Sequence, residues 1–353
     1  MLLYVIVAVF VFGLLIFLHE LGHFIAAKAC GVRVNEFSVC MGPALWQKTK
    51  GETTYSLRLI PIGGYCAMEG EDDASDDPRS FTAVSVWKRL CILVAGAGAN
   101  FLCGLLILLI LFGTSPLAAT PTIREFYPES TVAEETGLQV GDTLYRIDGR
   151  RVYRYEDVGM LLDRSIGLHT LEVLRDGKRV SLGEVPLERR AYIVDGEEQQ
   201  MYGLQFAVVP MTLPLALSQT WANAADFVRL IWMSLGDLIH GLVGFDQISG
   251  TVGIVRIMAQ TGEAAETTAA AVRSIAYFAA FLAINLAVMN LLPIPALDGG
   301  KVFTLLVTAV LETVFHRKID PKYEQYIHAA GMVLLLVLIA VITLKDILAI
   351  FGR

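Results

Sequence analysis

One short segment of the sequence has the residue types and spacing of a metal-dependent hydrolase. His19 and His23 are four residues apart, and Glu20 directly follows the first of them. On a helix with 3.6 residues per turn, positions four apart share a face, so both imidazoles can bind one metal ion. A bound zinc ion lowers the pKa of its water towards about 7, and an adjacent glutamate can accept the released proton. The segment therefore predicts a zinc site with Glu20 as the general base.

A third ligand must come from elsewhere, because a catalytic zinc ion usually has three protein ligands and one open position. The candidate is Asp298, which ends an apolar segment containing Pro293 and Pro295. Prolines interrupt helices, and unwound backbone at membrane depth is tolerated only where protein or a water-filled cavity satisfies it. An Asp-Gly turn that ends a helix at the membrane surface is the alternative explanation for this aspartate.

The elements that must position these residues are strongly apolar. Of the 353 residues, 55% are hydrophobic and 18% are charged, and the mean hydropathy is +0.57. Soluble domains are about 45–50% apolar and about 25% charged. Because about 20 mainly apolar residues cross a bilayer, we predict a polytopic α-helical membrane protein with about four transmembrane helices. The long apolar runs cover residues 2–18, 90–113, 275–297 and 329–344.

The stretch 119–209 differs, because it has the composition of an ordinary soluble α/β domain. Two strand-like segments in it end in Asp-Gly pairs, Asp148-Gly149 and Asp176-Gly177, which are typical of hairpin turns. The pattern resembles a PDZ domain, which binds extended peptides by adding a strand to a sheet edge. Peptide carboxyl termini are therefore expected partners of this insert, although a role as a spacer is an equal alternative.

These patterns divide the chain into eight predicted segments. They are transmembrane helix 1 (1–31), a β region with an acidic loop at 69–77 (32–87), transmembrane helix 2 (88–114), the PDZ-like domain (119–209), an amphipathic interfacial segment (210–272), transmembrane helix 3 (273–300), a cytoplasmic loop (301–326) and transmembrane helix 4 (327–350). In the β region, 36–39 and 54–59 alternate like strands, whereas 61–65 is expected to interrupt regular structure. Charges inside 214–244 disfavour a fifth span and favour a helix lying against the bilayer.

Charge predicts the orientation and excludes one class of partner. Lysines and arginines are frequent in the segments that follow the first and third spans, so both are expected in the cytoplasm, with the β region forming a small sheet there. The PDZ-like insert would then be extracytoplasmic. The net charge of −7 and the lack of a basic stripe argue against nucleic acid as a partner. The five cysteines match no common zinc spacing.

Taken together, the motifs resemble those of the site-2 proteases. They are His19-Glu20-x-x-His23 in the first span, Asn290-x-x-Pro-x-Pro-x-Leu-Asp298-Gly near the end, and the insert between them. More narrowly, the chain resembles bacterial zinc metalloproteases of regulated intramembrane proteolysis with one PDZ domain. Ala97 is a departure, since such proteins often have a proline at that place.

The resemblance implies an enzyme of the bacterial inner membrane, in contact with lipid. Its substrates would be single-span membrane proteins, such as anti-sigma factors or signal-peptide remnants, usually after a first cut by another protease. It also implies that Asn285 and Asn290 hold the extended substrate, and that the sheet with Gly63 and Gly64 receives it as an added strand. A non-enzymatic scaffold and a metal transporter remain as alternatives.

Overall fold

Four helices are long and apolar enough to cross a membrane in the computed structural model, which describes residues 2–71, 75–165, 167–194, 197–242, 244, 250–316 and 322–351. They are α1 (Leu2–Cys30), α2 (Val86–Gly113), α7 (Thr268–Asn290) and the Tyr326–Asp346 part of α9 (Lys322–Phe351). At 1.5 Å per residue each extends about 30 Å or more, the thickness of a hydrocarbon core. The number of spanning helices agrees with the sequence prediction.

The chain divides into two compact units, residues 1–107 with 227–353, and residues 108–226. The first unit contains most of the apolar helices and a β-hairpin. The second contains the insert.

The segment after the third span is helical, which corrects the prediction of a loop at 301–326. Helix α7 ends at Asn290, residues 291–297 are non-helical, and α8 (Asp298–Phe315) follows. Asp298 therefore begins a helix and does not end one. A carboxylate in the first turn is favoured by the helix dipole, and the apolar residues that follow supply a face to bury. Residues 317–321 of the predicted loop lie outside the described residues.

The predicted interfacial segment contains two helices, α5 (Leu213–Ile239) and α6 (Thr251–Glu263). Helix α5 is not among the four candidate spans found in the described part of the chain. Its position relative to a membrane remains a prediction.

The β region forms a bent antiparallel hairpin of β1 (Val34–Lys50) and β2 (Thr53–Met68). Val34 lies opposite Met68 and Lys50 lies opposite Thr53, with several register shifts between them. The expectation that 61–65 interrupts regular structure is wrong, because β2 runs through it. Gly63, at φ +81°, supplies a backbone conformation that lets the strand bend without ending. Of the predicted acidic loop at 69–77, residues 72–74 lie outside the described residues.

The insert contains a sheet with two short helices packed against its strands. Its strands β3 to β10 have the residue ranges given at the end of this paragraph. In the sheet their order is β10-β3-β4-β6-β7, and β5 pairs with β4. Strands β8 and β9 form a separate hairpin. The predicted Asp-Gly turns are present, with positive φ at both residues of each pair. The elements are β3 (Leu117–Phe126), α3 (Val132–Thr136), β4 (Thr143–Ile147), β5 (Arg150–Arg151), α4 (Tyr155–Leu162), β6 (Leu168–Arg175), β7 (Lys178–Pro186), β8 (Arg190–Val194), β9 (Glu197–Met201) and β10 (Leu204–Pro210).

Candidate metal centre

Three side chains from distant parts of the sequence converge on one point. His19 and His23 lie one turn apart on α1, and their Nε2 atoms are 3.2 Å from each other. The Oδ2 atom of Asp298, at the start of α8, is 3.1 Å from Nε2 of His19 and 3.2 Å from Nε2 of His23. The structure thus brings together the two histidines and the aspartate that the sequence predicts as ligands.

The three donor atoms fit a zinc ion by chemistry and by spacing. Imidazole nitrogen and carboxylate oxygen are common zinc ligands, and bonds of about 2.0–2.1 Å in a tetrahedron place ligands about 3.3 Å apart. The observed separations of 3.1–3.2 Å are close to that value. Two histidines and one carboxylate also leave the fourth position open, as catalytic zinc sites require.

Helix α2 forms a close wall behind the histidines. A Cβ atom added at Gly96 would lie 2.3 Å from Nε2 of His23 and 2.8 Å from Cε1 of His19. At Gly22 an added Cβ would lie 2.4 Å from the carbonyl oxygen of Ala95. The two glycines therefore allow α1 and α2 to approach closely at the site. No pattern in the sequence indicates that Gly96 contacts the imidazoles.

A backbone carbonyl of α2 orients one of the ligands. Nδ1 of His23 lies 2.8 Å from the carbonyl oxygen of Ile92, so Nδ1–H donates and Nε2 is left to bind metal. No side-chain pattern in the sequence indicates such a contact, because the acceptor is main-chain. The contact depends on the packing of α1 against α2.

Glu20 lies next to the hairpin. Its Cγ atom would be 3.4 Å from a Cβ atom added at Gly64 in β2. Gly63, the next predicted site residue, is at the positive-φ bend of the same strand. The structure therefore places Gly64 beside Glu20, and Gly63 directly before it in the strand.

Asn285 and Asn290 both lie on α7 and are half-buried. Asn290 is the last residue of that helix, immediately before the non-helical linker that leads to Asp298. Five residues correspond to about 140° around a helix, so the two side chains do not share one face. Helical periodicity alone therefore gives no reason for them to act together.

The insert contains a second group of residue types associated with hydrolases, but the arrangement is different. Nδ1 of His169 lies 2.9 Å from Oδ2 of Asp148 and 3.3 Å from Oγ of Ser165. A nucleophile and an orienting carboxylate must use different ring nitrogens, whereas these two share one. Burial raises the pKa of Asp148, but hydrogen bonds from His169, Thr170 and Ser165 outweigh it, and the net pKa is lowered. The group therefore stabilises the Asp148-Gly149 turn.

Comparison with known proteins assigns the family. Residues 7–338 match the sequence model of Peptidase family M50. A protein of Clostridium perfringens named as a zinc metalloprotease is 34% identical over 349 residues, covering 98% of this chain and 99% of its own length. Similar proteins from Clostridium acetobutylicum (35% identical; 97% of each chain) and Campylobacter jejuni (31%; 98% of this chain and 93% of its own) carry the same description. With its four apolar helices, the chain is a multi-pass membrane protein that belongs to peptidase family M50, the site-2 proteases, and is a zinc metalloprotease.

Proposed function

We propose that this peptidase cuts peptide bonds in or near the transmembrane segments of single-span membrane proteins. The observation that carries the proposal is the convergence of His19, His23 and Asp298 beside a helix apolar enough to span a bilayer. The two histidines precede the end of α1 at Cys30 by 7–11 residues, or about 10–17 Å along the helix axis. That depth supports a site inside the membrane and near one face.

The catalytic roles follow from the positions of the side chains. His19, His23 and Asp298 would hold a zinc ion, which supplies polarisation of the scissile carbonyl and a lowered pKa for water. Glu20 would take the proton from the attacking water and later give it to the leaving amine nitrogen. The carbonyl of Ile92 keeps the His23 ring in the tautomer that presents Nε2.

The hairpin supports binding of an extended substrate. Residues 64–68 of β2 pair with β1 on one side, and no other strand pairing of β2 occurs among the described residues. An unpaired strand edge can receive a peptide through main-chain hydrogen bonds. Because Gly64 lies beside Glu20, a strand added there would pass the catalytic base. Asn285 and Asn290 would supply further donors and acceptors to the unwound backbone.

The insert offers a second peptide-binding position in support of the PDZ-like expectation. A cleft of about 540 Å³ lies between α4 and β10, which is an edge strand of the sheet. An edge strand beside a helix suits an extended peptide carboxyl terminus. We infer that the insert recognises newly formed carboxyl termini, in line with cleavage after a first cut by another protease.

The cellular setting is part of the same proposal. Substrates such as anti-sigma factors or signal-peptide remnants, and a location in the bacterial inner membrane, are consistent with relatives that are bacterial. A scaffold has no use for Glu20, and a transporter would need ligands along a path. The family assignment favours the peptidase over both alternatives.

Cleavage of a model single-span substrate in detergent tests the proposal, with zinc content measured by elemental analysis. Glu20→Gln should keep its zinc and lose about 10²- to 10⁴-fold in rate, the usual contribution of a general base. Glu134→Gln in the insert serves as the matched control and should cut at the wild-type rate. Full activity of zinc-loaded Glu20→Gln, or cleavage confined to soluble loops of the substrate, would refute the proposal.

A further inference from the structure

The linker between α7 and α8 holds its conformation against a local backbone preference. Ala296, two residues before Asp298, has a φ of +76°. Residues with a Cβ atom rarely adopt this region, so surrounding contacts must hold it. The placement of Asp298 depends on those contacts, because the linker determines where α8 begins.

A histidine on α9 provides one of these contacts. The backbone N–H of Ala296 donates to Nδ1 of His328, with the two nitrogens 3.3 Å apart. Nε2 of the same ring is 3.2 Å from Oγ1 of Thr304 in α8. Since Nδ1 accepts a hydrogen bond, the ring proton is on Nε2 and is donated to the threonine.

Thr304 connects His328 to the first turn of α8 by hydrogen bonds. Its hydroxyl lies 3.1 Å from the carbonyl oxygens of Gly300 and Lys301, to which it can donate. These hydrogen bonds therefore join the residue two positions before Asp298 to the residues two and three positions after it. The side chain of His328 on α9 therefore contacts the backbone before Asp298 and, through Thr304, the helical turn after it.

Helix α9 also packs directly against the linker. A Cβ atom added at Gly331, three residues from His328, would lie 2.3 Å from Cβ of Pro295 and 3.0 Å from its carbonyl oxygen. The glycine thus lets α9 approach closely enough for the imidazole to reach Ala296. Two independent contacts, one polar and one steric, therefore join α9 to this segment.

We propose that His328 is a positioning residue for the zinc ligand Asp298. It holds the Ala296 backbone and, through Thr304, the first turn of α8, so that the carboxylate is already in place before metal binds. The proposal rests on the assignment of Asp298 as a ligand in the proposed function. Loss of partners that orient a ligand typically weakens metal affinity about 10- to 100-fold.

Zinc affinity, measured on the full-length protein by competition with a chelator, tests this role without using activity. His328→Phe keeps a ring of similar size but removes both hydrogen bonds, and should raise the zinc dissociation constant about 10- to 100-fold. His328→Asn retains an acceptor where Nδ1 lies and should stay within about threefold of wild type. Thr304→Val should show a smaller rise, and Tyr326→Phe, exposed on the same helix, should show none. The visible spectrum of the cobalt(II) form should shift in His328→Phe and return in His328→Asn.

Each result decides between positioning and bulk packing. Unchanged zinc affinity and an unchanged cobalt spectrum in His328→Phe would overturn the proposal, as would equal losses in the Phe and Asn variants. Should His328→Phe fail to fold, wild-type affinity in Thr304→Val would overturn it instead. Asp298→Ala distinguishes a wrong ligand assignment from a wrong positioning role. If this variant keeps wild-type affinity, the ligand assignment itself is wrong, and if it loses affinity while His328→Phe does not, only the positioning role is wrong.

Discussion

Gly96 is the residue at which α2 comes closest to the two histidines. The Cβ of an alanine there would meet the imidazoles at 2.3 and 2.8 Å, so the rings or the helices must move apart. We expect Gly96→Ala to lower zinc affinity by at least tenfold, because displaced ligands lose their common geometry. Chelator competition on purified protein measures the change.

Gly98 provides the control for this substitution. It lies on the same helix, and a Cβ added there meets nothing within 4 Å. Gly98→Ala should therefore keep wild-type zinc affinity and gain about 0.5–1 kcal/mol of stability from the better helix former. Equal effects of the two alanines would show that helix propensity, and not contact with the imidazoles, governs the site.

The start of α6 is held by a carboxylate from another helix. Oδ2 of Asp346 in α9 accepts hydrogen bonds from the backbone N–H groups of Gly250 and Gly253, at 2.9 and 3.0 Å. The carboxylate is buried, and it satisfies the donors that a helix N-terminus leaves unpaired. Asp346→Ala should lower the free energy of unfolding by about 1–3 kcal/mol.

Hydrogen exchange locates this effect within the molecule. Amides in the first turn of α6 should exchange faster in Asp346→Ala, whereas those of α2 should not change. Asp346→Asn keeps an oxygen acceptor and should lie between the alanine variant and wild type. Unaltered exchange in α6 would mean that the carboxylate does not hold the helix.

A surface ion pair in the insert predicts a dependence of stability on pH. The hydrogen bond from Arg190, 2.5 Å from Oε2 of Glu135, and a second from Thr131 lower the pKa of Glu135 to about 2. A carboxyl group whose pKa is lower in the folded than in the unfolded protein stabilises the folded state at pH values above its unfolded pKa. The stabilisation of the insert by ionised Glu135 is therefore complete above about pH 4.5 and is lost as the pH falls towards about 2.

Removing the arginine should flatten this part of the pH profile. Arg190→Gln should show a smaller drop in the unfolding temperature of the insert between about pH 5 and about pH 2.5, followed by circular dichroism. Arg150→Gln, an exposed arginine on β5, is the matched control and should follow wild type. Parallel profiles for wild type and Arg190→Gln would contradict the assignment.

Secondary structure was predictable where a single local pattern decided it. The apolar runs predicted the spanning helices, and the Asp-Gly pairs predicted the turns, because those features depend on neighbouring residues alone. The continuation of β2 through residues 61–65 was not predicted, because a strand bend at Gly63 has the same sequence signals as an interruption of the strand. Helix α8 was missed because Asp298-Gly299-Gly300 indicates a turn, whereas the aspartate actually starts a helix.

The residues of the candidate site were predictable because their side chains have the functional groups of a zinc hydrolase. His19, Glu20, His23 and Asp298 carry the functional groups that a zinc hydrolase needs, and their pattern resembles a family. The contacts that place them do not show in the sequence. Three such contacts involve the carbonyl of Ile92, the lack of a side chain at Gly96 and the ring of His328. Each forms between segments that are distant along the chain.

For the whole molecule, charge predicts which parts face the cytoplasm. In a background without native cysteines, Glu198→Cys in the insert should react with a membrane-impermeant thiol reagent added to intact cells. Lys48→Cys in the hairpin should react only after the cells are opened. Both positions are exposed, so burial does not account for a difference. The reverse pattern of labelling would invert the proposed topology.

The distance in sequence between the histidines and Asp298 affects when the proposed zinc site can form during synthesis of the chain. His23 and Asp298 are 275 residues apart, and ribosomes add about 5–20 residues per second. For roughly 14–55 seconds of synthesis, therefore, the growing polypeptide carries its base and two imidazoles but no carboxylate to join them. We expect the apolar helices α1 and α2 to enter the bilayer during that interval, among other newly made membrane proteins. Until Asp298 is made, the proposed zinc site lacks one of its three ligands, so we expect the nascent chain to have no peptidase activity toward its neighbours.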